Sequence, residues 1–172
     1  MNADLIPGSQ ELPELNRFGV QIPMPEKMNI SKFYGRGPVE NYSDRKSSAF
    51  IGEYTLLSGE QAHEYIRPQE TGTKSDIRRW SQTDKGGRGL MITSSEPFYA
   101  GATNYSVSSL DNGNEKTQMH FSEVNPMDYV NLLIDSEQAG VGGVNSWGAY
   151  PLDQYRIKPG AQKLSLVLTP EK

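Results

Sequence analysis

The chain has 172 residues, 17 Lys and Arg against 21 Asp and Glu, a net charge of −4 and no cysteine. Its length suits one domain with a real core. The basic residues are scattered and form no stripe for a phosphate backbone, and no stretch reaches the roughly 18 apolar residues that a membrane span needs, so neither nucleic acid nor a bilayer is an expected partner. The lack of cysteine excludes disulfides and thiolate metal sites and leaves the compartment open.

With 17 glycines and 11 prolines, the composition favours many short strands joined by turns over long helices. An all-β fold, a β-sandwich, is therefore expected over residues 15–172, after a flexible lead-in at 1–14 that is polar and contains Pro and Gly. The first residues lack a basic and then apolar leader pattern, so no signal peptide is read there, and the compartment stays undecided between cytoplasm and periplasm.

Phe18, Val20 and Ile22 alternate with Gly19 and Gln21, which predicts a half-buried strand. Met28 to Phe33 alternates as well and should pair nearby. It leads into the segment 33–45, Phe-Tyr-Gly-Arg-Gly-Pro-Val-Glu-Asn-Tyr-Ser-Asp-Arg, which reads as a constrained turn. There the glycines supply unusual backbone angles, and Pro38 opens a short helical turn through Asn41 and Tyr42. Ala49–Tyr54 is a further predicted strand. Residues 62–67 and 76–80 read as strands flanking a Pro-Gln-Glu-Thr-Gly turn, and Asp84–Gly89 connects a hairpin into Leu90–Thr93.

A helical turn is expected over Ser106–Leu110, and strands over Thr117–Glu123 and Tyr129–Asp135. The second of these is a nearly continuous apolar run, as in a strand covered on both faces. Tyr155–Lys158 and Lys163–Leu168 should close the chain as a hairpin around Pro159-Gly160, with Leu164, Leu166 and Leu168 on one face.

Charged and planar side chains concentrate at Arg36, Glu40, Asn41, Asp44 and Arg45. Residue chemistry favours an ion network pinning one turn, with Glu40 and Asp44 as the partners of Arg36, over a ligand site. The glutamates lie in polar turns, and no local pattern pairs two of them for glycoside hydrolysis. His120 and Glu123 would need helical spacing to share a metal, and their surroundings read as a strand. In the Gly-rich loop from Gly140 to Pro151, Trp147 beside Gly143, Asn145 and Ser146 either presents a flat surface for a sugar ring or folds back to cap the sandwich. Trp80, in a strand, reads as core.

The 33–45 segment resembles the signature of the C-terminal small-chain domain of family 2 β-galactosidases. Arg17-Phe18-Gly19, Tyr65–Gly72, Asp76–Trp80 and Gln138–Gly148 fit that family in the right order. The resemblance runs from about residue 12 to about residue 169. It implies a galactose-mutarotase-like supersandwich in truncated form, since the full family domain is longer. It also implies that the acid/base and nucleophile glutamates lie on a separate (β/α)8 barrel, so the isolated chain is expected not to hydrolyse glycosides.

Trp147, with Asn145, Ser146 and Gly143, would then contact a β-galactoside or other carbohydrate at the edge of the barrel site, with no cofactor and no metal. Cut strand edges further imply a homo-oligomer. A mutarotase-like fold also raises epimerase chemistry by a histidine acid and a glutamate base, for which only His63 and His120 are available. The alternatives are a stand-alone carbohydrate-binding module, working through Trp147 and the Gly-Arg-Gly-Pro turn, and a structural assembly subunit.

Overall fold

The structure is a computed structural model that describes residues 1–8, 13–111, 120–142 and 149–172. Its strands are β1 (Asn2–Leu5), β2 (Arg17–Pro25), β3 (Ile30–Gly37), β4 (Phe50–Leu57), β5 (Lys74–Thr83), β6 (Gly89–Thr103), β7 (Tyr129–Gln138), β8 (Gln162–Ser165) and β9 (Val167–Glu171). An antiparallel seven-stranded sheet runs β2-β7-β6-β5-β3-β4, and β9 joins it beside β6. A two-stranded sheet, β1 with β8, packs over it and completes an all-β sandwich.

The length of β6 explains how two strands share one neighbour. Gly89–Thr93 pairs with β9, and Tyr99–Thr103 pairs with β7. On β7, Val130, Leu132 and Ile134 point into the core and are fully buried, as the period of two requires. Asn131, Leu133 and Asp135 point to the opposite face, where β7 is covered again. The two-sided burial read from its apolar run is therefore present. The core joins these residues to Phe33, Ile77, Trp80, Ile92 and Phe98, and to Leu164 and Leu166 from the covering layer. Trp80 is a core residue, as expected: its ring stacks on Phe33 at 4.9 Å between centroids.

Several expectations change. Residues 2–5, expected in a lead-in, form β1 and pair with β8 from Asn2↔Ser165 to Leu5↔Gln162. The segment 33–37 is strand, not turn, and residues 38–45 contain no helical turn; Tyr42 and Arg45 instead close a short antiparallel bridge. Gly35 and Gly37 therefore serve close packing in an extended backbone. A Cβ on Gly35 would lie 2.4 Å from Ile77 Cδ1 and 2.8 Å from Ile77 Cα.

Residues 62–67 are not a strand, and β5 begins at Lys74. Of the strand expected at 117–123, residues 117–119 lie outside the described residues, and Phe121–Glu123 is a 3-10 turn. The helical turn expected at 106–110 is present as α1 (Val107–Leu110), with the Ser106 hydroxyl accepting the Ser109 N–H. The closing hairpin does not form. Ile157 bridges Leu15, β8 pairs with β1, and β9 pairs with β6, so Leu164 and Leu166 are buried while Leu168 is exposed.

Candidate functional site

Parts of three segments singled out in the sequence, around Arg17, Glu70–Thr71 and Gln138–Val141, meet beside the outer face of β7. Glu40 adjoins them, just after the cis Gly37–Pro38 peptide. Its carboxylate accepts the Gly72 N–H at 2.8 Å, the Thr71 hydroxyl at 3.1 Å, an Arg45 N–H at 2.6 Å and the Tyr65 hydroxyl in a short contact. Gly72 can present that N–H because its φ of +82° suits only glycine. Burial would raise the Glu40 carboxyl, but these donors outweigh it and hold the group below the usual carboxylate range. Burial and the neighbouring Glu40 push the Tyr65 hydroxyl up to about 12.

Asn41, fully buried, fastens the same segment to the start of β5. Its Oδ1 accepts the N–H and hydroxyl of Ser75 at 2.9 and 2.6 Å, and its Nδ2 donates to the carbonyls of Arg36 and Val39. The expected ion network is thus real at Glu40–Arg45. Arg36 does not join it: Nε donates to Asp76 Oδ2 at 2.7 Å and Nη1 to the Ala49 carbonyl at 2.7 Å. The strand course of residues 33–37 explains the difference, because it carries Arg36 away from Glu40 and toward β5. Asp76 has a φ of +56° at an irregular step of the β5–β6 pairing, so Arg36 and Lys46 secure an unusual backbone position.

Asp44 faces the other way. Its Oδ1 accepts the Val141 N–H at 3.2 Å and its Oδ2 the Gly142 N–H at 2.7 Å. The 33–45 segment is thereby bonded to the root of the Gly-rich loop. Two backbone bonds complete the root, from Ala139 N–H to the Asn16 carbonyl at 2.9 Å and from Gly140 N–H to the Tyr155 carbonyl at 2.8 Å. Gly140 is required here, since a Cβ would lie 2.5 Å from Asp44 Oδ2. Gly143, Asn145, Ser146 and Trp147, the residues expected to meet a sugar, lie outside the described residues.

Arg17 closes the arrangement. Its guanidinium grips Asp135 through two of its three nitrogens, Nε and Nη2, and donates from Nη1 to Glu70 at 2.8 Å. Glu70 also accepts the Thr73 hydroxyl at 2.8 Å. Asp135 is almost fully buried, and that burial raises its carboxyl while Arg17 pulls it back. Gly19 makes the approach of β2 possible, because a Cβ there would lie 2.1 Å from Asp135 Oδ1 and 2.2 Å from the Ile134 carbonyl oxygen. Roles for Arg17, Glu70 and Asp135 were missed in the sequence. The available signal was an acid at 135, and an amide at 131, interrupting an apolar run.

Of the histidines, His63 borders the Glu40 cluster and His120 lies apart from it. His63 is exposed and its ring lies against Tyr65, whereas His120 is exposed at the start of the 3-10 turn, where its backbone N–H donates to Glu123. Among the described residues no cluster of acidic and histidine side chains could hold a metal ion.

Comparison with known proteins covers nearly the whole chain. The profile of the family described as "Beta galactosidase small chain" matches residues 2–168. A β-galactosidase of Priestia megaterium is 34% identical over 149 residues, 87% of this chain and 14% of that protein. β-Galactosidase BgaC of Bifidobacterium adolescentis is 32% identical over 159 residues, 91% of this chain and 14% of its own length. The enzyme of Lactobacillus delbrueckii subsp. bulgaricus is 32% identical over 166 residues, covering 95% and 16%. The chain thus spans about one seventh of the first two of these relatives. It belongs to the β-galactosidase small-chain family.

Proposed function

We propose that this chain is the part of a β-galactosidase that completes the galactoside site from outside the catalytic barrel. In this reading Trp147 stacks on the sugar, Asn145, Ser146 and Gly143 shape the loop around it, and the catalytic acid and nucleophile lie on the barrel. The observation that carries the reading is the carboxylate of Asp44 bonded to the N–H groups of Val141 and Gly142. It ties the most distinctive segment of the chain to the root of the loop that bears the tryptophan.

The carboxylates of the site support a bracing role. Glu40 is saturated with donors, and Glu70 and Asp135 are joined through the Arg17 guanidinium between them. A retaining pair instead needs one protonated and one ionised carboxyl about 5 Å apart, facing a bound sugar. The fitting partner is the catalytic portion of a parent enzyme, and the substrate class is β-galactosides.

The test is turnover of an aryl β-galactoside by the purified chain, alone and combined with a catalytic portion. Activity is expected only in the assembled state, where Trp147→Ala raises KM more than it lowers kcat. Turnover by the chain alone that survives stringent purification would overturn the reading, as would an assembled enzyme indifferent to Trp147→Ala.

A further inference from the structure

The seven-stranded sheet has two edges of opposite character, β2 and β4. β2 carries Pro23 and Pro25 and breaks register between Phe18 and Gly19, devices that keep another strand from adding to an edge. β4 has none of them. Its eight residues, Phe-Ile-Gly-Glu-Tyr-Thr-Leu-Leu, contain no proline and no lysine. They pair with β3 in unbroken register and with no second strand among the described residues. Ile51 and Leu57 are exposed on its outward row, and Tyr54 and Leu56 are half-buried against the core on its inward row. An open edge with apolar side chains on both faces calls for a strand that is apolar on both faces. β4 is itself such a strand.

Geometry restricts how two copies can pair. A two-fold axis through the sheet keeps inward residues inward, so even-numbered residues of β4 must face even-numbered ones, and odd must face odd. An axis at Glu53 sets that carboxylate against its own copy, and axes at Gly52 or Thr55 set it against Ile51 or Leu57. An axis at Tyr54 avoids all three.

That axis places Ile51 opposite the partner's Leu57 and Glu53 opposite the partner's Thr55. Thr55 lies beside Lys32 on β3, so Lys32 comes two strands from the partner's Glu53, about 10 Å between backbones and within reach of the two side chains. Lys32 has no ion pair among the described residues, whereas Arg79 holds Glu53 at 2.7 Å and Asp76 holds Arg36. On the inward side, Trp80, Phe33 and Tyr54 form one row across β5, β3 and β4, with successive ring centroids 4.9 and 5.4 Å apart. The axis extends that row through the partner's Tyr54. It also brings the partner's Leu56 opposite Gly52, where the Tyr54 ring leans over with its hydroxyl donating to the Phe50 carbonyl at 2.9 Å.

We infer that β4 is a pairing edge for a second copy of this chain, joined antiparallel over residues 51–57 about a two-fold axis at Tyr54 into one continuous sheet. The surface is independent of the role proposed for Trp147. A strand from another part of a parent enzyme is the competing occupant.

Sedimentation equilibrium of the 172-residue chain should show a monomer–dimer equilibrium. Ile51→Lys, which points a charge into the pairing edge, should raise the dimer dissociation constant about tenfold, because the lost apolar pair occurs twice, and should leave the circular dichroism unchanged. Cross-linking reads the register, and the absence of native cysteine gives it a clean background. An equimolar mixture of Glu53→Cys and Thr55→Cys chains should form disulfide-linked dimers under mild oxidation faster than either variant alone, because the two positions face each other between copies.

The inference is overturned if the chain remains monomeric up to its solubility limit, if Ile51→Lys dimerises as tightly as the unaltered chain, or if Glu53→Cys alone cross-links as fast as the mixture. Protection of β4 amides from exchange in an assembled enzyme, with the isolated chain monomeric, would assign the edge to another part of that enzyme and also end it.

Discussion

Replacing Asp44 with alanine removes two acceptors, at 3.2 Å from the Val141 N–H and 2.7 Å from the Gly142 N–H. A hydrogen bond to a charged group contributes about 1.5–3 kcal/mol. Both bonds lie in an exposed setting, where solvent competes, so the pair together is assigned about 1–2 kcal/mol. That corresponds to about 5–30-fold in the equilibrium between a seated and an unseated root. The effect should be local, because Ala139 N–H and Gly140 N–H keep their bonds to the carbonyls of Asn16 and Tyr155. Amide hydrogen exchange in Asp44→Ala should therefore lose about 5–30-fold of protection at Val141 and Gly142, with little change at Ala139 and Gly140. Asp44→Asn, which retains one acceptor, should fall between. If exchange at Val141 and Gly142 is unchanged in Asp44→Ala, the carboxylate does not hold the root and the reasoning fails.

Lys74 is fully buried, and its Nζ donates to Gln61 Oε1 and the Gly72 carbonyl rather than to a carboxylate. Burial pulls its ammonium down to about 7, against a partial upward pull from Glu40. The unfolded chain keeps this proton to about 10.4, so between about pH 7 and 10 the unfolded state binds more protons and stability rises with pH. Denaturant unfolding at about pH 7 and about pH 9.5 should show a gain of a few kcal/mol that Lys74→Met removes; a flat or falling profile in the unaltered chain would contradict this. Gly35→Ala forces a Cβ to 2.8 Å from Ile77 Cα, a backbone atom that cannot step aside. It should cost about 1–3 kcal/mol, read as a lowered melting temperature. Arg36→Ala breaks a pair whose side chains are 24% and 26% exposed. Its cost should lie between those of exposed and buried pairs, about 1–2 kcal/mol in chemical denaturation, with no change in sugar recognition.

The parts of the fold legible in the sequence were those decided by neighbours along the chain. Alternation at Phe18–Ile22 and the apolar run at Tyr129–Asp135 predicted strands, and the Asp84–Gly89 turn predicted a hairpin, because each depends on local periodicity or turn chemistry. What was not legible depends on distant partners. The Pro159-Gly160 pair is a sound turn signal, yet residues 162–165 find their edge at the N-terminus and residues 167–171 find theirs on β6. Residues 62–67 alternate like a strand, but the His63 N–H goes to the Thr71 hydroxyl and the Tyr65 hydroxyl to Glu40. In the site, a place for Glu40 and Arg45 in an ion network was legible because both lie in the charged segment 33–45, although the partner expected for Glu40 was Arg36. The bonds of Arg36 to Asp76 and of Asp44 to Val141 and Gly142 were not, being set by how β3 enters the sheet.

The central claim is that Asp44 seats the loop from which Trp147 meets a galactoside. It is tested most directly by a double-mutant cycle in an assembled enzyme containing this chain, reading KM and kcat for an aryl β-galactoside. Trp147→Ala should raise KM with kcat little changed. Asp44→Ala should raise KM less, and the double variant should bind no worse than Trp147→Ala alone, because the two residues act in series. Fully additive effects on KM, or a collapse of kcat in either single variant, would contradict the account.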